Sequence, residues 1–116
     1  MKTVLIIDDE RDLCAVLKKA LTKEKCIVDC VHNLADAGVK LKDHHDIILL
    51  DNNLPDGSGL DYFIRYPLKF EKSCVVFISA DTAPDIKEQA DEAGVAAYIQ
   101  KPFTAGILKD TLRQLA

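Results

Sequence analysis

At 116 residues the chain has room for one compact domain burying roughly two-thirds of its unfolded surface, and a separate output domain is not expected to fit. With 48% hydrophobic and 29% charged residues, it has the balance of an ordinary folded domain and not of a disordered one. A net charge of −4, with Lys18, Lys19, Lys23 and Lys25 interrupted by acidic or apolar neighbours, argues against direct binding of nucleic acid.

The first apolar run, Val4 to Ile7, is far too short for a signal-peptide core or a membrane span, so a cytoplasmic location without membrane contact is expected. Four more β-branched runs follow at Ile27–Val31, Ile47–Leu50, Val75–Ile78 and Ala96–Ile99, and a helical pattern follows each of the five. Leu13, Val16, Leu17, Ala20 and Leu21 form the stripe of the first helix, and Leu34, Ala37 and Leu41 that of the second. Leu60, Phe63 and Ile64 mark a shorter third helix that Pro67 stops. Ile86, Ala90 and Ala93 mark a fourth, ended by Gly94 as a C-cap, and Ile107, Leu108, Leu112 and Leu115 a fifth. Four cysteines include no C-x-x-C pair; Cys26 and Cys30 share one strand face with Val28, and buried thiols are expected instead of metal ligands. His32, His44 and His45 are expected at the surface.

Strands that alternate with helices imply a parallel sheet covered on both faces, with ligands bound beyond the carboxyl ends of its strands at the topological switch point. Four of the five strand ends carry suitable polar groups: Asp8 and Asp9 after the first, Asp51 after the third, Ser79 after the fourth and Lys101 after the fifth. Only the second lacks one. Each has a simpler reading, Asp9 and Ser79 as helix caps, Asp51 as a turn former before Asn52-Asn53, and Lys101 as a solvated lysine. Taken together, and with the first and third strands as neighbours, Asp8, Asp9 and Asp51 converge and repel unless a cation holds them. Magnesium suits such an oxygen-rich site, and with one lysine it brings the three carboxylates close to neutrality. Asp51 then has the role of a nucleophile toward a phosphoryl group, with Lys101 and the Ser79 hydroxyl neutralising the phosphoryl oxygens.

The segments V-L-I-I-D-D-E at 4–10, I-I-L-L-D-N-N-L-P-D-G-S-G at 47–59, V-F-I-S-A at 76–80 and A-Y-I-Q-K-P-F at 97–103 resemble the response-regulator receiver family over the whole chain, 1–116. Pro55 and Gly59 fall four and eight residues after Asp51, and Lys101 falls 22 after Ser79, as in that family. The resemblance implies an α/β, flavodoxin-like (βα)5 three-layer sandwich with sheet order 2-1-3-4-5. It implies a two-component phosphoacceptor at Asp51, with Mg2+ (or Mn2+) on Asp8, Asp9, Asp51 and the backbone carbonyl of Asn53. It also implies a cis Lys101-Pro102 bond, a switch through Ser79 and Tyr98, and tuning of dephosphorylation by Asn53 and Asp81. The implied partners are a sensor histidine kinase or histidine phosphotransfer protein, which docks against the first helix near Leu13 or Val16, and a downstream target or output domain. The chain would catalyse its own phosphorylation without being a turnover enzyme.

Where similar DNA-binding regulators have acidic residues before the switch aromatic, this chain has Ala96 and Ala97. A symmetric dimer is therefore in doubt, and a monomer, or weak association through Ile86 and Ala90, is expected. Tyr62, Phe63 and Tyr66 read as core and rim. The alternatives are an interaction module that is never phosphorylated, a haloacid-dehalogenase-like phosphatase, which would need a second acid where Asn53 stands, and a flavin site, which Asp8-Asp9-Glu10 would repel.

Overall fold

The computed structural model of the protein describes residues 1–81 and 83–115. In chain order these form β1 (Thr3–Ile7), α1 (Arg11–Lys23), β2 (Ile27–Val31), α2 (Leu34–Lys40), β3 (Ile47–Asp51), β4 (Asn53–Leu54), β5 (Gly57–Ser58) and α3 (Gly59–Arg65). A 3-10 turn (Pro67–Phe70), β6 (Cys74–Ser79), α4 (Pro84–Ala93), β7 (Ala97–Gln100) and α5 (Ala105–Gln114) complete the chain. The five long strands make one parallel sheet in the order β2-β1-β3-β6-β7. Counting long strands alone this is 2-1-3-4-5, the flavodoxin-like order.

Helices cover both faces of the sheet. Leu5, Ile7, Ile48, Leu50, Val75 and Phe77 point toward α2, α3 and α4, while Val4, Ile6, Leu49, Val76, Ile78 and Ile99 point toward α1 and α5. Alternate side chains of each strand thus enter different cores, which is why β3 is buried along its whole length and contains no polar residue before Asp51. Local chemistry fixes the helix ends. Asn33, Ser58 and Thr104 each accept a backbone N–H in the first turn of α2, α3 and α5, and Gly94 takes the left-handed conformation that ends α4.

Several expectations are corrected. Val16 is 59% exposed and Ile64 and Ile107 are about half exposed, so α1, α3 and α5 present narrower apolar stripes than their periodicity implies. In α1 the core is reached by Cys14, Leu17 and Leu21. His45 is buried and not at the surface, because its Nε2 lies 3.1 Å from the Asp29 carboxylate, a partner that only the packing of β2 beside the α2–β3 connection supplies. Ala90 is fully buried against the sheet and cannot serve association between molecules, and Ile86 packs partly against the same core. Of the four thiols only Cys14 is buried, and none is joined in a disulfide. The β4–β5 hairpin and the 3-10 turn have no counterpart in the sequence pattern.

Candidate functional site

The sheet register builds the site. Ile7 pairs with Leu50, so the next residues, Asp8 and Asp51, emerge side by side at the carboxyl edge. One oxygen from each of Asp8, Asp9 and Asp51 lies within 4.8 Å of the others, with Asp8 and Asp51 buried and Asp9 exposed. Burial first, and then the charge of Asp8, push the Asp51 carboxyl up to about 6 against the opposing pull of Lys101.

Lys101 reaches this cluster from the end of β7. Its Nζ is 2.9 Å from Asp8 Oδ2 and 3.3 Å from Asp51 Oδ1, and it also bonds Glu10. Burial works against its charge, but the bonds to Glu10 and Asp8 and the charge of Asp51 outweigh that and hold the ammonium above its usual range. It is not a solvated lysine. The Lys101-Pro102 peptide bond is cis, as expected.

The backbone turns away from the acids in an ordered way. Asp8 Oδ1 accepts the Glu10 N–H at 2.9 Å, and Glu10, not Asp9, occupies the N-cap of α1, without a side-chain cap bond. Asp9 is therefore left to face the cluster. The Asp8 carbonyl accepts from His32 Nδ1 at 2.8 Å and from the Cys14 thiol at 3.4 Å. His32 follows β2 directly, so the second strand also ends in a polar residue that supports the site, a role missed in the sequence although its position was visible there.

Beyond Asp51 the chain is held tightly. Buried Asn52 accepts the Ser58 hydroxyl at 2.8 Å and the Leu60 N–H at 3.2 Å through its Oδ1. A Cβ on Gly59 would come within 2.1 Å of the Asp51 carbonyl oxygen, which accounts for a glycine eight residues after that acid. Asn53, on β4, is exposed.

Ser79 is fully buried at the end of β6 and does not cap α4, whose N-cap is Ala83. Its Oγ accepts the Asp81 N–H at 3.0 Å, and the Asp81 carbonyl in turn accepts the Tyr98 hydroxyl at 3.1 Å. Exposed Asp81 turns its carboxylate to the Ala83 N–H at 2.9 Å. Tyr98 is half-buried, its ring centroid 5.8 Å from that of Phe77.

The donor set fits a hard divalent cation. It consists of oxygens alone, three carboxylates crowded at one edge of the sheet with two of them buried. No helix among the described residues is long and apolar enough to cross a membrane.

Comparison with known proteins agrees with this geometry. The family model of the response regulator receiver domain matches residues 4–113. The transcriptional regulatory protein KdpE of Escherichia coli is 33% identical over 117 residues, covering 97% of this chain and 50% of that protein. The response regulator PilR of Pseudomonas aeruginosa is 33% identical over 107 residues, covering 91% of this chain and 24% of PilR. The chain thus spans half or less of the length of these curated relatives. Among solved structures, the non-phosphorylated HemR receiver domain of Leptospira biflexa superposes with a TM-score of 0.91 at 25% identity, covering 99% of this chain and 94% of that one. A CheY-like receiver domain protein of Methanospirillum hungatei superposes with a TM-score of 0.92 at 21% identity, covering 99% and 93%. Fold, acidic cluster and family match agree, and the chain belongs to the receiver domains of two-component response regulators.

Proposed function

We propose that the chain accepts a phosphoryl group on Asp51 from a phosphohistidine of a sensor kinase or phosphotransfer protein, and that it works in the cytoplasm. The observation that carries this is the convergence of the Asp8, Asp9 and Asp51 carboxylates at the sheet edge, with Lys101 paired to the first and last of them. Asp8, Asp9, Asp51 and the Asn53 carbonyl would hold Mg2+, or Mn2+ in its place, and the ion would neutralise charge on the transferred group. Asp51 attacks phosphorus as the bond to the donor nitrogen breaks, giving an acyl phosphate. Lys101 is already positioned between Asp8 and Asp51 to pair with a phosphoryl oxygen, so little reorganisation is needed at that moment.

In this reading Ser79 would turn its hydroxyl to the phosphoryl group and release the Asp81 N–H, a change passed to Tyr98 along the bonds already described. Asn53 and Asp81, both exposed, would tune the attack of water that ends the signal. The protein would be its own catalyst in both directions without turning over a separate substrate, as a monomer or weak dimer serving a downstream target. An interaction module without phosphorylation is the second reading; the presence of every acid and the lysine speaks against it. Incubation with acetyl phosphate and Mg2+ is expected to add the mass of one phosphoryl group, and Asp51→Asn or a chelator to abolish it. No gain in the wild type, or a gain retained by Asp51→Asn, overturns the assignment.

A further inference from the structure

α1 and β2 bring together two thiols that the proposed function leaves unused. Cys14 is buried, and its Sγ lies 3.4 Å from the Asp8 carbonyl oxygen and 3.9 Å from His32 Nδ1. Half-buried Cys30 packs against the same core cluster. Both thiols line a cleft of about 350 Å³ with Arg11, Lys18, Asp29 and His32. Two cations and an imidazole against one carboxylate make its wall a setting for a thiolate. Cys26 and Cys74 lie outside this cleft.

We propose that Cys14 and Cys30 form a reversible dithiol couple, oxidised to an intramolecular disulfide by a hydroperoxide, with Cys30 as the attacking sulfur and Cys14 as the resolving one. In the first step the Cys30 thiolate attacks the peroxide. An S–O bond forms, the O–O bond breaks, two electrons leave sulfur, and the alkoxide or hydroxide departs, taking up the proton that the Cys30 thiol gave up. In the second step Cys14 attacks the Cys30 sulfenic acid, the S–O bond breaks, and the hydroxide leaves with the Cys14 proton as water. A reducing thiol reverses the sum.

The division of roles follows from the surroundings. Half-buried Cys30 is open to the cleft lined by Arg11, Lys18 and His32, whereas Cys14 is buried, so a peroxide meets Cys30 first. Oxidation would also withdraw the Cys14 S–H from the Asp8 carbonyl and leave His32 as the donor there.

Peroxide treatment of the full chain, followed by non-reducing peptide mapping, tests this. The expected product is a Cys14–Cys30 link within one molecule, removed by dithiothreitol. In Cys14→Ser, where no neighbouring thiol remains to resolve it, dimedone should trap a sulfenic acid at Cys30. A map that shows only links between molecules, or oxidation confined to Cys26 or Cys74, overturns the proposal. So does Cys14→Ser with no adduct at Cys30.

Discussion

Lys101 is held almost out of solvent, its side chain 14% exposed, between the buried carboxylates of Asp8 and Asp51. Its third partner, Glu10, is 57% exposed on the solvent side. The contrast sets two different sensitivities. Removing the ammonium in Lys101→Ala leaves two carboxylates close together without a cation, and in metal-free protein this is expected to cost about 3 kcal/mol, read as a lower urea midpoint. Glu10→Gln breaks only a solvent-screened contact and should cost less than about 1 kcal/mol. Equal losses in the two variants would show that the buried part of the cluster is not what holds the lysine. Tyr98→Phe removes one bond, to the Asp81 carbonyl, and keeps the ring against Phe77. It is expected to leave uptake of phosphate unchanged while shrinking the amide chemical-shift changes that phosphorylation produces along α4, β7 and α5; an unaltered shift map would separate Tyr98 from the switch.

Among the elements, the β3–α3 connection is the most tightly specified. Gly59 starts α3, donates its N–H to the Asn52 carbonyl at 2.9 Å, and leaves no room for a Cβ beside the Asp51 carbonyl. Gly59→Ala must therefore push α3 or the end of β3 aside. The expected cost is about 1–3 kcal/mol from overpacking, with phosphoryl uptake slowed roughly tenfold or more because Asp51 is displaced. Denaturation and acetyl-phosphate kinetics read the two effects separately, and wild-type kinetics in the variant would mean that the turn yields without moving the acid. α1 behaves differently. It is packed on β2 and starts beside Asp8, yet Val16 lies on its outer side and leaves the core to Cys14, Leu17 and Leu21.

Across the whole molecule, the site edge of the sheet crowds carboxylates around one lysine, whereas Asp29 on the flanking strand has an imidazole and a lysine to itself. Asp29 on β2 meets His45 at 3.1 Å and Lys40 at 3.7 Å, and the bond to His45 holds its carboxyl below the usual value of 3.8 despite partial burial. An acid with a depressed folded pKa contributes stability above its unfolded pKa and loses it as pH falls through the folded one. Asp29→Asn is therefore expected to lower the urea midpoint at pH 7, with the difference from wild type shrinking below pH 3.8. A difference that is constant across this range would assign the loss to packing and not to the carboxylate charge.

The alternation of strands and helices, the covered parallel sheet and the acids Asp8, Asp9 and Asp51 at its carboxyl edge were legible in the sequence, because burial on both faces demands unbroken β-branched runs and the first polar residue after each run must fall at an edge. Asp8 and Asp51 could be named for that reason, with Asp9 and Lys101 one residue beyond the first polar position of their runs, and the register of β1 against β3 brings the acids together as expected. What only the tertiary structure decided depends on groups far apart in sequence. His45 is buried because Asp29 reaches it, and Glu10 joins Lys101 across 91 residues. His32 and Cys14 share the Asp8 carbonyl because α1 and β2 pack together. Periodicity specifies which face of an element is apolar, but the width of that face and the partners of its polar groups are set by neighbours that the local pattern does not contain.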